Sequence, residues 1–375
     1  MLEADAEVDR RDFSVRAALT VGPGERLALF GPSGAGKTTI LEMIAGLVAP
    51  RRGRVALNGR VLTSTAAPAI SVPPWQRRVG LLRQDPGLFP HLSVRANLLY
   101  GRHGGDPNLA GELAEMVAVL GIDGLLSAMP ARLSGGQAHR VALGRLLLSR
   151  CDALLLDEPY AGLDANLRRT LTDLVVSLVA ERGVPSILVA HELAEAQAFA
   201  DRLAILDRGD VLQAGPPGEV VISPTTRRVA ELVGYAAFVP VPGERAGSGH
   251  EASPASAGSD QPGGPVAAIH PDRVVGGDHP ERGLVLSGLV TSCRPAGALW
   301  EVTIATGEAA VTARLPGPAP AGEQFVLTAI EPPVFWPDGK SAGDRPPATD
   351  SRTTKDRRAA SADGVPGSGR TGVNR

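Results

Sequence analysis

The chain has 375 residues, 43% of them apolar and 3% aromatic, enough to bury a full α/β core and leave material for a second domain. Its 38 basic and 40 acidic side chains leave a formal charge of −2, so no polyanion signature is present and nucleic acid is not an expected partner. Cys151 and Cys293 stand far apart and form neither a disulfide framework nor a metal pattern, which fits a reduced compartment.

The amino terminus, Met1 to Arg11, is acidic and polar, with no signal-peptide core. No apolar run approaches the roughly 20 residues that span a bilayer, so any membrane role has to come through a partner. Arg26 to Phe30 then reads as a short buried strand and Thr38 to Ala45 as a helix. Between them stand Gly31, Pro32, Ser33, Gly34, Ala35, Gly36, Lys37, Thr38 and Thr39, which match GxxxxGK[ST]. In that pattern glycines turn backbone amides inward around phosphates, Lys37 reaches the β- and γ-oxygens and Thr38 ligates magnesium. The helix that follows points its partial positive end at the same anion. Lys37 is the single lysine before Lys340 in a chain with 35 arginines, as expected where a guanidinium fork cannot replace a compact ammonium.

Further along, Val79 to Leu82, Ala153 to Leu156, Ile187 to Ala190 and Leu203 to Leu206 read as strands alternating with amphipathic helices. The fold class expected for residues 1–240 is α/β: a P-loop core with a mostly parallel sheet covered by helices on both faces. From about 85 to 150 the strand signal gives way to helical spacing, as in Gly111 to Leu120, which predicts an inserted helical subdomain. The arginines of Pro50 to Arg54 and Gln76 to Arg78 read as solvated faces. Residues 241–265 are rich in Gly, Pro, Ser and Ala and read as a flexible linker. Over 266–336 the period becomes two, with Trp300, Val302 and Ile304 facing one way and glycines at the turns, which predicts a small all-β barrel. The tail, 337–375, reads as disordered.

Two further segments carry chemistry. The apolar strand Ala153 to Leu156 ends in Asp157-Glu158-Pro159, placing carboxylates at the strand edge where α/β sheets bind ligands and from which the phosphate loop also springs. Asp157 suits magnesium, and Glu158 is placed to polarise an attacking water. In Leu133-Ser-Gly-Gly-Gln137, Ser134 and Gln137 form a capping box at the start of a helix. Capping does not explain Gly135 and Gly136, which cost helix stability and make sense if their amides approach an anion.

Gly31 to Thr39, Gln84, Leu133 to Gln137, Leu156 to Pro159, Ala161-Gly-Leu-Asp164 and His191 stand in the order of the ATP-binding cassette (ABC) ATPases, and roughly residues 1 to 235 resemble that family. The resemblance implies ATP and magnesium as ligands, with Gly31 to Thr39 on the phosphates and Thr38, Gln84 and Asp157 around the metal. Glu158 then resembles the catalytic base, and His191 the histidine that meets the γ-phosphate. It also implies that Ser134, Gly135, Gly136, Gln137 and Asp164 act across a homodimer on nucleotide held by the other copy. Arg83, His139 and Gly162 depart from the family pattern without removing a catalytic group. The aromatic residue that stacks adenine in this family has no counterpart; Phe13, 18 residues before Gly31, is the nearest, and core packing is its expected role.

Residues 266–336 resemble the TOBE domain of bacterial importer ATPases, and the short single copy looks most like that of molybdate importers. The resemblance therefore implies an ATPase on the cytoplasmic face of the cell membrane. It would dock on an integral membrane permease through the region after Gln84 and serve a solute-binding protein indirectly. Molybdate or tungstate is the expected solute; sulfate, ferric iron and other solutes are the alternatives. Ser287, Thr291 and Ser292 are candidates for an oxyanion site on the barrel. A soluble cassette ATPase acting on nucleic acid or ribosomes is the other class; such proteins usually insert a long coiled coil before the signature, whereas here Lys37 and Leu133 are 96 residues apart.

Overall fold

The computed structural model describes residues 1–102, 107–241, 265–307 and 309–335, so the expected tail and all but the ends of the expected linker lie outside the described residues. The chain begins with β1 (Leu2–Asp9), β2 (Ser14–Val21) and β3 (Arg26–Phe30), then helix α1 (Lys37–Ala45). Next come β4 (Arg52–Leu57), β5 (Arg60–Ser64), β6 (Ile70–Ser71) and β7 (Val79–Leu82). Helices α2 (Val94–Leu98), α3 (Leu109–Leu120) and α4 (Gly135–Leu148) lead to β8 (Ala153–Asp157), α5 (Ala165–Arg182), β9 (Ser186–Val189), α6 (Leu193–Phe199), β10 (Arg202–Asp207) and β11 (Asp210–Gly215). Short helices α7 (Pro217–Ile222) and α8 (Arg227–Leu232) precede the C-terminal β region.

Six strands form a sheet in the order β11-β10-β3-β9-β8-β7, parallel throughout except for β11. Its central strands are apolar on both faces because both faces are covered. Alternate residues therefore enter different cores. Leu154, Leu156 and Leu188 pack with α4, α5 and α6, whereas Leu155, Ile187 and Val189 pack toward α1. The mostly parallel sheet expected from the sequence is thus present. A second sheet, β2-β1-β4-β5-β6, is wholly antiparallel and was not anticipated. Its signal was a strict alternation, Leu2, Ala4, Ala6 and Val8 inward with charged residues between, muted by small alanines. This sheet closes over α1 from the side opposite the parallel sheet, so Ile40, Leu41, Met43 and Ile44 are buried between the two.

Arg77 corrects the reading of its segment as solvated. It is 3% exposed and donates to the carbonyls of Ile44 and Val72 and to the Thr63 hydroxyl, satisfying the C-terminal end of α1. Its neighbours Leu47 and Trp75 stay on the surface, Trp75 at 81% exposure.

The C-terminal region starts with β12 (Ala237–Pro240) and β13 (Val266–Ile269), joined by the terminal strand β19 (Val334–Phe335) in a three-stranded sheet. Strands β14 (Val274–Gly276), β15 (Gly283–Ala296), β16 (Leu299–Thr306), β17 (Ala309–Leu315) and β18 (Gln324–Ile330) form an antiparallel sheet in the order β14-β18-β15-β16-β17. Val302 and Ile304 are fully buried, as their period of two requires. The two end strands, β14 and β17, pack close together but share no backbone ladder among the described residues, so the expected barrel is present as a half-barrel sheet without a hydrogen-bonded closure. The three-stranded sheet faces two ways. Phe238, Ala268 and Phe335 join the core beneath α6 to α8, while Val239, Ala267 and Ile269 join the core of the C-terminal region.

Among the described residues no helix is long and apolar enough to cross a membrane.

Candidate functional site

The loop from Gly31 to Gly36 joins the C-terminal edge of β3 to the first turn of α1. Gly36 caps that helix with φ +107° and no side-chain hydrogen bond, so the helix amides are left for another acceptor. Side chains are excluded at two points. A Cβ on Gly31 would lie 1.9 Å from the Leu206 carbonyl oxygen, and one on Gly36 would lie 2.7 Å from a methyl of Val15. Gly31→Ala is expected to destabilise the fold by about 3 kcal/mol, because the obstacle is backbone and has nowhere to move. Urea unfolding of the two proteins measures it, and equal midpoints would contradict the close approach.

Lys37 folds its ammonium back onto the loop, donating to the carbonyls of Gly31 at 2.8 Å and Pro32 at 2.9 Å. Burial lowers its pKa, and the carboxylates of Glu158 and Asp157 oppose that shift by favouring the charged form. Asp157, 4% exposed, has its pKa raised by burial, with the Thr38 hydroxyl lowering it and Glu158 and Glu42 raising it further. A hard cation relieves such crowded negative charge. One carboxylate, one hydroxyl and the oxygens of a bound phosphate suit magnesium, which keeps several waters and needs no protein cage. The described residues accordingly contain no cluster of three or more His, Cys, Asp or Glu side chains around one point.

Glu158 adopts φ +51°, a left-handed conformation rare for a residue with a Cβ. Such strain persists only where the surroundings impose it. Here the Glu158 amide donates to the Val189 carbonyl at 3.2 Å, and its carboxylate accepts a 3.4 Å contact from the Gln84 side-chain amide. The structure thus gathers the phosphate loop, Lys37, Thr38, Gln84, Asp157 and Glu158 at one edge of the parallel sheet. His191 stands just beyond β9 on the same edge, exposed, with its backbone amide donating to Glu195 at 3.3 Å.

The remaining expected residues do not join this cluster within one chain. Ser134 and Gln137 form the reciprocal capping box of α4. Asp164 caps α5 by accepting from Asn166 and Leu167. A Cβ on Gly135 or Gly136 would meet nothing within 4 Å, so neither packing nor backbone strain within the chain demands glycine there. Phe13 lies in the turn between β1 and β2 rather than in a strand, half-buried against the core around α1.

Two charged residues beside the loop, Arg10 and Glu42, escaped the sequence reading. Arg10 donates to the Thr39 hydroxyl from two nitrogens, at 2.9 and 2.6 Å, and its guanidinium lies 3.5 Å from Glu42. Glu42 also accepts from Arg83 at 3.3 Å. Only the position of Glu42, one helical turn after Thr39, was visible in the sequence.

Residues 15–161 match the family model described as ABC transporter. This part of the chain is similar to the ABC transporter family. Among curated relatives, the Fe(3+) ions import ATP-binding protein FbpC of Pseudomonas fluorescens Pf-5 is 45% identical over 224 residues, which are 60% of this chain and 62% of that protein. The Molybdenum import ATP-binding protein ModC of Salmonella choleraesuis SC-B67 is 45% identical over 193 residues, 52% of this chain and 54% of its own length. The chain therefore spans less than two thirds of the curated relatives it matches. A solved ATP-binding subunit of an ABC transporter superposes with a TM-score of 0.53 at 26% identity, over 62% of this chain and 95% of that one. A dimeric ATP-binding cassette bound to ADP and Pi, at 24% identity and a TM-score of 0.50, covers 58% of this chain and 99% of its own and shares the ABC fold.

Proposed function

We propose that this chain is the ATP-hydrolysing subunit of an ABC importer, acting as a homodimer on the cytoplasmic face of a membrane permease. The observation that carries the reading is the strained Glu158 at the end of β8, held beside Gln84 and Lys37 at the phosphate loop. The loop amides and the Lys37 ammonium hold the triphosphate, and Thr38, Asp157 and Gln84 are the residues that would hold magnesium. That cation, when bound, neutralises charge on the phosphate oxygens. Glu158 orients and deprotonates the attacking water, and His191 meets the γ-phosphate. Ser134, Gly135, Gly136, Gln137 and Asp164 close over the nucleotide of the second copy, for which the open space in front of the two glycines leaves room. Purified chain should hydrolyse Mg-ATP with a specific activity that rises with protein concentration. Absence of hydrolysis at every concentration, alone and with its permease, would overturn the reading.

The surface around Arg77 supports a membrane partner. Leu47, Ile70 and Trp75 are exposed apolar side chains on the segments that flank buried Arg77, which donates to the carbonyls of Ile44 and Val72. Trp75→Asp is expected to weaken association with the permease at least about tenfold, the range for an aromatic anchor. Co-purification from detergent measures it, with circular dichroism to show that the fold is kept.

Two solutes are favoured by different observations. The single short C-terminal β region and the ModC match favour molybdate or tungstate, whereas the longer FbpC match favours ferric iron. On the C-terminal sheet Ser287, Thr291 and Ser292 are exposed, and the Thr291 hydroxyl donates to the Thr303 carbonyl, so these hydroxyls form no enclosed oxyanion set. Proteoliposomes carrying the chain, its permease and its binding protein should accumulate labelled molybdate and not ferric iron; the reverse result would select the second solute.

A further inference from the structure

His191 is exposed, yet its backbone is pinned at two successive amides. The Ala190 amide donates to the Leu29 carbonyl at 3.1 Å, on the strand that runs directly into the phosphate loop. The His191 amide donates to the Glu195 carboxylate at 3.3 Å. The first bond ties the histidine to the loop, and the second fixes how the chain leaves the sheet edge to enter α6. Glu195 is poorly placed to remain an acceptor unaided. It is half-buried and burial raises its pKa; the amides of His191 and Glu192 and the guanidinium of Arg168 oppose the rise, while the charge of Glu192 adds to it. Tyr160, buried after β8, feels the same carboxylate: burial chiefly raises its phenol's pKa and the Glu195 charge adds to that, so it stays neutral. The positive charge in this group therefore comes from Arg168 on α5. Its guanidinium donates to the Glu192 carboxylate at 2.7 Å, and its Nε is buried with no partner among the described residues. Glu192 is the N-cap of α6 but makes no side-chain cap bond, its carboxylate being turned to Arg168 instead.

We infer that Arg168 is a positioning residue for His191, keeping the Glu195 carboxylate available as the acceptor of the His191 amide. The inference rests on the ATPase reading above, in which His191 meets the γ-phosphate. An ionised carboxylate accepts amide bonds at both oxygens and more strongly than a protonated carboxyl, which commits one oxygen as a donor. With Arg168 in place the anion persists and the backbone of His191 keeps one position relative to the loop. Without it Glu192 and Glu195 repel each other, and the proton that relieves them is taken up by Glu195. Loss of the arginine is therefore felt first in acid: as pH falls, the altered protein releases His191 before the unsubstituted one does.

Steady-state hydrolysis of Mg-ATP by the full chain, followed as kcat against pH, tests this. Arg168→Gln is expected to move the acid limb of the profile to about tenfold lower proton concentration, the scale of one nearby charge. Arg168→Lys, which keeps the charge, should restore most of the native profile. Glu192→Gln removes the repelling carboxylate and should move the limb the opposite way; its side chain is exposed, so this variant decides the matter if Arg168→Gln does not fold. Glu195→Gln cannot titrate, and in that background Arg168→Gln should move the limb no further. A shift that persists there would show that the arginine acts by another route and would overturn the inference. So would a uniform loss at every pH in Arg168→Gln, which would make the residue a plain link between α5 and α6, or an acid limb unmoved in both Arg168→Gln and Glu192→Gln. If the unsubstituted chain hydrolyses no Mg-ATP even with its permease, the ATPase reading falls and the inference with it; if it hydrolyses Mg-ATP and these limbs stay in place, only the inference falls.

Discussion

Glu158→Gln is expected to lower turnover of Mg-ATP by about 10²- to 10⁴-fold while leaving nucleotide binding intact. The substitution keeps the size of the side chain and its contact with the Gln84 amide but removes the carboxylate carried by the strained turn after β8. Asp157 cannot take over: it is nearly fully buried, and its carboxyl lies beside the Thr38 hydroxyl. With the water no longer activated, the closed pair of copies should persist, so gel filtration in Mg-ATP should show a dimer that the unsubstituted protein forms only transiently. Full hydrolysis by Glu158→Gln would show that the proton is taken elsewhere. Neutral pH suits the comparison, since burial raises the pKa of Asp157 and acid would add its protonation to the loss of the base.

Lys37 should be nearly as costly to replace, and in a way that separates charge from shape. Lys37→Ala is expected to cost about 10²- to 10³-fold in turnover, the range for removing one preorganised donor to a developing oxyanion. Lys37→Arg should fare little better despite keeping the charge. The ammonium occupies a space bounded by the carbonyls of Gly31 and Pro32, both within 3 Å, and a planar guanidinium cannot enter it without opening the loop. Steady-state hydrolysis of the two variants provides the measurement, and an arginine variant with native turnover would contradict the fit.

How much of this was readable in the chain can be judged element by element. The parallel strands were legible because β8 and β9 are continuous apolar runs flanked by helical spacing, and the phosphate loop because its glycines and lysine sit at a fixed interval. The capping box at Ser134 and Gln137 was legible because it is local, closed within three residues. The antiparallel sheet was missed because alanine supplies much of its inward face and gives a weak period-two signal. Arg77 was misread because its burial depends in part on a distant acceptor, the Ile44 carbonyl 33 residues away. Arg10 and Arg83 share Glu42 only after three separate segments have folded together, and no interval in the sequence records that meeting. The roles given to Glu158, Gln84 and His191 were likewise expectations from pattern. The structure adds to them a strained backbone and a contact that pattern does not contain.

The three-stranded sheet β12-β13-β19 has one more implication. Each strand gives alternate side chains to two different interiors, so neither interior is complete without it. Removing the last strand would strip Phe335 from beneath the helices as well as shortening the sheet beside the C-terminal core. The carboxy-terminal part is therefore no pendant that the nucleotide-handling part carries about: the two share a party wall, and a rearrangement on one side of it has to be felt on the other.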